Sequence, residues 1–477
     1  FISLMNYKGI LFFLGIYSLF VSFFAFLNIL YSIYFNFIID INSYLLTFLI
    51  SLIIGSIFCY IGKNHHKNIT LSEQIIFITL SFFYIPFLIC IPFFLSIYDF
   101  NFLDSYFESV SGVTTTGFSV IQNIENIDDP LVLWRSSSQW LGGLFLLIAI
   151  IGTLGTKQIK IKPAYLVFGS VLGRNFYNNF NFNFFRILLI YSFSTIFIFF
   201  LYSLADIRLL DSLNIAFTTI SSGGFIPSDN LNKIFKTDVQ IFLLSFTLLF
   251  PIFNFYLLFN IFTKQFLFKN HQEDVHLFIL ILLLTLIFYF FLIPNDDLSN
   301  VFFAVASSVS TSGIFNYSSN FDLSLFFILL TVIGGSLIST SSGFKYVRFY
   351  ILFKISYQEI YRLVKPINIF NKNLFNTEVK IEDEDSKIAF LIFVLFIISL
   401  FILSSILTLD NLDFENAFKL SFLTLTNTSA SSLYGINNLN FFDLNFFSKM
   451  SLIVFMILGK VELVAILYLF KKFIFKE

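Results

Sequence analysis

The side chains best suited to chemistry in this sequence are hydroxyls and glycines, gathered in four short stretches. The first runs Asp104-Ser-Tyr-Phe-Glu-Ser-Val-Ser-Gly-Val-Thr-Thr-Thr-Gly117-Phe118. It is echoed by Asp211 to Gly224 and Phe225, ending Thr-Thr-Ile-Ser-Ser-Gly-Gly, and by Asn300 to Gly313 and Ile314, ending Ser-Ser-Val-Ser-Thr-Ser-Gly. All three keep one separation from leading residue to last glycine, and a weaker fourth copy runs from Asn416 to Gly435. Each opens on an Asp or Asn able to cap a helix and continues through an apolar stretch too short to span a bilayer. Hydroxyls and backbone carbonyls are neutral oxygen donors, which suit coordination of a cation better than bond-breaking chemistry. Four such loops converging on an axis would make a ring of carbonyls, the device by which a potassium-type filter replaces an ion's water shell. Glycine is wanted there because carbonyls all facing one way need backbone angles other residues resist.

Long apolar helices must position these loops. A bilayer span needs about 20 mostly apolar residues, and candidate spans cover 10–34, 42–62, 74–97, 131–152, 185–205, 239–263, 276–293, 323–342, 388–408 and 449–470. The expected fold is therefore an all-α polytopic membrane protein with about ten spanning helices. Each Ser/Thr/Gly stretch lies between two spans, as a re-entrant half-helix with its loop, because irregular backbone at membrane depth must be buried in protein or line water. Basic loops holding Lys63 and Lys67, Lys157, Lys160, Lys162 and Arg174, Lys264 and Lys269, and a long loop from 343 to 387 with Lys345 and Arg348, alternate with the cation-free stretches 98–130 and 294–322. Positive-inside logic puts the basic loops and both termini in the cytoplasm.

Composition agrees. Of 477 residues, 57% are hydrophobic, 21% aromatic and only 12% charged, with a net charge of -1; a soluble chain carries roughly 25% charge. This excludes a water-soluble enzyme and a disordered chain, and the lack of basic excess argues against nucleic-acid binding. Cys59 and Cys90 read as apolar residues and provide no disulfide framework or metal site. His65, His66, His271 and His276 sit at short polar breaks and are expected to be solvated. The N-terminal apolar run exceeds signal-peptide length, so no cleavable signal is expected.

In order along the chain, these residues resemble the TrkH family of bacterial potassium uptake proteins, within the TrkH/KtrB/HKT superfamily. Phe107 to Gly117 is similar to the family's first filter, and Leu133-Trp-Arg-Ser-Ser-Ser-Gln-Trp-Leu-Gly-Gly143 to the helix start that follows it. Thr218 to Phe225 resembles the second filter, Gly334-Gly-Ser-Leu-Ile-Ser-Thr-Ser-Ser-Gly-Phe-Lys-Tyr-Val-Arg348 the segment after the third, and Gly459-Lys-Val-Glu-Leu463 a helix of the fourth repeat.

The resemblance implies a helix pair (1–70) followed by four helix–pore-loop–helix repeats (71–160, 161–265, 266–380 and 381–477) around a pseudo-fourfold pore. It implies potassium as the transported ion, no covalent cofactor and no enzymatic activity. Location in the bacterial cytoplasmic membrane, a homodimer, and a cytoplasmic TrkA-type subunit through which a nucleotide (ATP/ADP or NAD) acts are further implications. The basic inner loops would meet such a subunit, or are simply solvated. Filter contacts fall to Thr115, Thr116 and Gly117, to Ser222, Gly223 and Gly224, and to Thr311, Ser312 and Gly313. In the fourth repeat the family's glycine corresponds to Ser429, Ala430 or Ser431, depending on a short gap, which bears on potassium over sodium selectivity. A gate loop at 334–343 would use Gly334, Gly335, Ser336, Ser339, Thr340, Ser341 and Gly343, with Ser342, Leu337 and Ile338 departing from the family pattern and Lys345 just beyond. Lys460 matches a family arginine below the filter: a fixed cation there is a barrier, while snorkelling to the interface is the other reading. Glu462 would pair with Lys460 or Arg348. The competing functions are a sodium or poorly selective transporter of the same superfamily and an unrelated secondary transporter. The latter favours inverted repeats, whereas these repeats share one orientation.

Overall fold

A computed structural model describes residues 6–37, 40–66, 69–154, 176–262, 271–293, 296–315, 323–364, 373–375, 381, 383–436 and 439–461. Among these there are only helices and connections, and no strand. Two long helices, α1 (Tyr7–Tyr34) and α2 (Ile41–Gly62), form an antiparallel hairpin. Gly15 and Gly55 let the two backbones close up: a Cβ at Gly15 would lie 2.8 Å from the Gly55 carbonyl oxygen. The hairpin leans on repeat 1, where Tyr17 stacks on Phe145 at 3.9 Å and donates to its carbonyl oxygen.

The rest repeats one theme of long helix, short helix and returning helix. It runs α3 (Leu71–Phe94), α4 (Phe102–Val113) and α5 (Asp129–Leu154), then α6 (Phe176–Leu204), α7 (Leu209–Ser221) and α8 (Asp238–Thr247) with α9 (Phe255–Phe262). Next come α10 (Gln272–Ile287, extended by a π-helical turn Phe288–Leu292), α11 (Leu298–Val309), α12 (Ser324–Ile333) and α13 (Tyr346–Val364). The last unit is α14 (Asp383–Leu409), α15 (Phe414–Thr426) and α16 (Phe446–Val461).

Among the described residues, six helices are long and apolar enough to cross a membrane: α1, α2, and parts of α3, α6, α10 and α14. Two of the expected spans are interrupted. The 239–263 segment breaks at 248–254 around Pro251, whose ring cannot continue a helix, and the 323–342 segment stops at Gly334, with φ +62°. The structure also corrects the expected caps. Asn101, not Asp104, caps α4, accepting from the Asp104 amide at 2.8 Å. Asp104, Asp211, Asn300 and Asn416 all occupy the third position of their helices; a carboxylate there still meets the positive end of the helix dipole.

Other expectations are revised by burial. His66 stacks on Phe12 at 4.4 Å, and His271 lies buried between Asn260 and Asp274, because the polar breaks fold back onto helix ends. His65 is exposed and His276 partly so. Cys59 and Cys90 are free thiols in apolar surroundings. Lys345 and Arg348, which the sequence places at the start of the long basic stretch from 343 to 387, are buried where that segment enters α13. Lys67, Lys157, Lys160, Lys162, Arg174, Lys264, Lys269 and Glu462 lie outside the described residues.

Candidate functional site

Each of the four short helices ends in the same backbone motif. A residue in the left-handed region follows the helix: Thr115 (φ 55°), Ser222 (60°), Thr311 (60°) and Asn427 (48°). Their amides donate three residues back, to the carbonyls of Gly112, Thr219, Ser308 and Thr424, at 2.9 to 3.2 Å. The next amides, of Thr116, Gly223, Ser312 and Thr428, donate five residues back, to Ser111, Thr218, Ser307 and Leu423, at 2.8 to 3.2 Å. This pair of bonds is the Schellman helix ending, and four copies reverse the chain identically. A β-branched residue resists such angles, so Thr115 and Thr311 hold them against their preference, whereas Asn427 and Ser222 adopt them more readily.

One residue beyond each motif, the four chains meet. A Cβ built on Gly117 would lie 2.7 Å from Gly224 Cα and 2.9 Å from Ser429 Cβ, and one on Gly313 would lie 2.5 Å from the Ser429 carbonyl oxygen. Gly117 and Gly313 also have φ of +85° and +67°. The structure therefore puts Ser429 in register with Gly117, Gly224 and Gly313, while Ala430 and Ser431 lie further along. Ser429 Oγ donates to the Ser312 carbonyl at 2.8 Å, so one repeat adds a hydroxyl where three add only backbone. Side chains also tie neighbouring turns together: Asn427 Nδ2 donates to Thr116 Oγ1 at 2.9 Å, and the Ser222 hydroxyl donates to the Ser310 carbonyl.

Directly against these turns lies Lys460. Its ammonium, buried with 4% exposure, donates to Thr115 Oγ1 at 2.6 Å, to Ser342 Oγ at 2.8 Å and towards the Thr340 carbonyl at 3.4 Å. It does not snorkel. The non-helical segment from Gly334 to Gly343 packs below the turns, with Thr340 Oγ1 donating to the Ile220 carbonyl at 2.8 Å and the Ser342 amide to Thr311 Oγ1 at 2.9 Å. The loop is curled around Lys345, whose Nζ donates to the Ser341 carbonyl at 2.6 Å and to Ser339 Oγ at 3.1 Å. Ser336 and Gly335 take part through backbone: the Ser336 amide donates to the Ile252 carbonyl at 2.8 Å and Gly335 N to Ser341 Oγ at 2.8 Å.

That Ile252 contact is one of several between the two interrupted helices. Phe255 N donates to the Ile338 carbonyl at 3.0 Å and Ser341 N to the Pro251 carbonyl at 3.2 Å, so each break satisfies the other's backbone. The first turn of α10 braces both: Glu273 Oε1 accepts from Leu337 N at 3.0 Å and Asp274 Oδ1 from Asn254 N at 2.9 Å. Sequence reasoning missed these two carboxylates, since nothing local marks them.

It also missed the buried ion pairs that hold the turns. Arg135 Nε meets Glu108 Oε1 at 2.9 Å, its guanidinium lies 4.3 Å from the centre of the Phe225 ring, and Glu108 Oε2 accepts from Val120 N at 2.9 Å. Lys449 of α16 meets Asp104 of α4 at 2.6 Å, joining the last repeat to the first. Removing one member of a buried pair costs about 3–5 kcal/mol because the other charge is stranded. Lys449→Met is thus expected to lower the melting temperature of the detergent-solubilised protein clearly, and adding Asp104→Asn to restore most of the loss. An unchanged melting temperature would show that the pair contributes nothing.

No family model matches the chain. It is 26% identical, over 98% of its length and 96% of the relative's, to an uncharacterized cation transporter of Methanocaldococcus jannaschii. It is 28% identical to the Trk system potassium uptake protein TrkG of Escherichia coli (91% of this chain, 92% of that one). To the Trk system potassium uptake protein TrkH of Salmonella typhimurium it is 26% identical, over 90% and 92%. Among solved structures it matches the potassium transporter TrkH from Vibrio parahaemolyticus with a TM-score of 0.83 and 20% identity, over 98% of each chain. The class is thereby defined: an all-helical, multi-pass membrane protein with four short helices converging on one set of backbone turns. Within that class, the chain is similar over 90% or more of its length to the Trk system potassium uptake proteins TrkH and TrkG.

Proposed function

We propose that the protein carries potassium across the cytoplasmic membrane through the four convergent turns. The observation that carries this reading is the fourfold Schellman ending with Gly117, Gly224, Gly313 and Ser429 in contact range of one another. Identical reversals aim equivalent carbonyls at one axis, which is the requirement for stripping water from a potassium ion. The relatives named as potassium uptake proteins support the same ion. Each charge moved inward gains about 2.3 kcal/mol per 100 mV of membrane potential, enough to drive uptake without covalent chemistry, and the protein is read as a transporter with no enzymatic step. The Gly334–Gly343 loop and Lys460 together form the gate. Potassium is the cargo; a nucleotide acts only through a TrkA-type cytoplasmic subunit, on a homodimer with cytoplasmic termini.

Ser429 favours a second reading, a less selective monovalent-cation pathway, because its hydroxyl alters one quarter of the ring. Rubidium and sodium uptake into proteoliposomes separates the two. Wild type is expected to accumulate rubidium over sodium under an inside-negative potential. Gly117→Ser should lose that uptake or its selectivity, because φ +85° and the 2.7 Å approach to Gly224 leave no room for a side chain. Uptake indifferent to this change would sink the filter assignment.

A further inference from the structure

Two side chains of α5, one helical turn apart, reach from repeat 1 to a single residue of repeat 2. Gln139 and Arg135, both fully buried, converge on Phe225, the residue that follows Gly224. Gln139 Oε1 accepts from the Phe225 amide at 3.2 Å, and the Arg135 guanidinium lies over the Phe225 ring, 4.3 Å from its centre. Arg135 is itself anchored to repeat 1 through Glu108 Oε1 at 2.9 Å and Ser119 Oγ at 3.0 Å. Gln139 stands directly behind the second turn, since a Cβ on Gly223 would come within 2.2 Å of its Oε1. Thr218 Oγ1 donates to the Phe225 carbonyl at 2.8 Å, so Phe225 is held at amide, carbonyl and ring.

The amide contact bears on the pore through peptide geometry. The Phe225 N–H and the Gly224 carbonyl belong to one planar unit, and in a trans peptide they point in opposite directions. Holding the N–H towards Gln139 therefore turns the Gly224 carbonyl away from α5. Other repeats do without this arrangement. Seven residues before the left-handed turn residue, repeat 1 has Glu108 where the others have Ile215, Ala304 and Leu420, all buried. Gly142 and Gly459 press alike on the short helices before them, and counting back equally from each sets Arg135 and Gln139 against Leu452 and Met456. Those two are also buried and apolar. A buried ion pair and amide cost desolvation that apolar side chains avoid, and apolar side chains suffice in repeat 4.

We propose that Gln139 and Arg135 are positioning residues that set the preference for potassium over sodium, by fixing the Gly224 carbonyl through Phe225. This rests on reading the convergent turns as the ion filter. A carbonyl that swings freely can close in on the smaller sodium ion, and one held from behind keeps the spacing that suits potassium. Gln139 holds the peptide plane, and Arg135, clamped by Glu108, holds the ring that continues from it. Selectivity is thus fixed on the repeat 1–repeat 2 side of the ring, by side chains that do not touch the ion.

The test measures rubidium and sodium uptake into proteoliposomes, with melting temperature in detergent, for full-length variants. Gln139→Met copies the repeat 4 residue at nearly the same volume and removes the acceptor. It is expected to lower the rubidium-to-sodium ratio about five-fold, the factor one buried hydrogen bond is worth. Gln139→Glu keeps an oxygen in reach of the Phe225 amide and should restore most of the ratio. Equal ratios in the Met and Glu variants, whatever their melting temperatures, would reduce Gln139 to packing and overturn the proposal. Arg135→Leu with Glu108→Gln removes both charges and keeps an acceptor for the Val120 amide, so no charge is stranded and folding should survive. That pair of changes should also lower the ratio, and a ratio at the wild-type value would overturn the part given to Arg135. A wild type with no preference for rubidium would instead sink the filter assignment itself, which tells the two failures apart.

Discussion

Replacing Lys460 with methionine is expected to raise rubidium flux in proteoliposomes about ten-fold or more, in the absence of any cytoplasmic subunit. The ammonium sits against the underside of the convergent turns, 2.6 Å from Thr115 Oγ1, and reaches the loop below through Ser342 Oγ and the Thr340 carbonyl. A fixed charge about 4 Å from a permeating ion repels it by about 4 kcal/mol at an effective dielectric of 20, far more than the change needed for a ten-fold rate. Methionine keeps most of the length and volume, so packing against α15 changes little. It also releases the loop, because Thr340 and Ser342 lose their shared donor. Lys460→Arg keeps the charge and should leave flux near wild type. Equal flux in Met and Arg variants would reduce Lys460 to a packing role.

The second large effect concerns Gly224. A methyl group there would approach Ser429 Cβ to 2.3 Å, Ser429 Oγ to 2.6 Å and the Ser312 carbonyl oxygen to 2.8 Å. Gly224 is not among the glycines with positive φ, so alanine meets no backbone strain and the clash alone decides the outcome. Gly224→Ala should abolish flux without unfolding the protein. Two of the three clashing atoms belong to the Ser429 side chain, so adding Ser429→Gly should restore part of the flux. No rescue would mean that the two residues do not face each other. Ser429→Gly alone tests the selectivity question, and a rise in the rubidium-to-sodium ratio is the expected result.

Much of this was legible beforehand because it is written in local pattern. The Ser/Thr/Gly stretches repeat at one spacing and lie between apolar runs, and the structure ends each short helix there. Gly142, in the stretch that resembles the helix start after the first filter, and Gly459, in the one that resembles a helix of the fourth repeat, play parallel parts: a Cβ on them would lie 2.0 Å from the Val113 carbonyl oxygen and 2.6 Å from that of Leu425, each in the preceding short helix. Where sequence left a gap of uncertain length, at Ser429, Ala430 or Ser431, the left-handed turn at Asn427 supplied the register. His66 and His271 went the other way and are buried, since a polar break predicts solvent only when nothing folds over it.

By itself, then, the sequence determined a multi-pass helical chain with four equivalent re-entrant stretches, because hydrophobic run length and the conformational demands of glycine and short polar residues act within a few residues. Only the tertiary structure decided which charges meet, Lys449 with Asp104 and Arg135 with Glu108, and that the breaks at 248–254 and 334–343 complete each other's hydrogen bonds. It also decided that Lys460 touches the turns and not the membrane interface. Those outcomes rest on buried groups finding partners far away in the chain, where desolvation makes an unmade contact costly, and no local spacing encodes such a pairing.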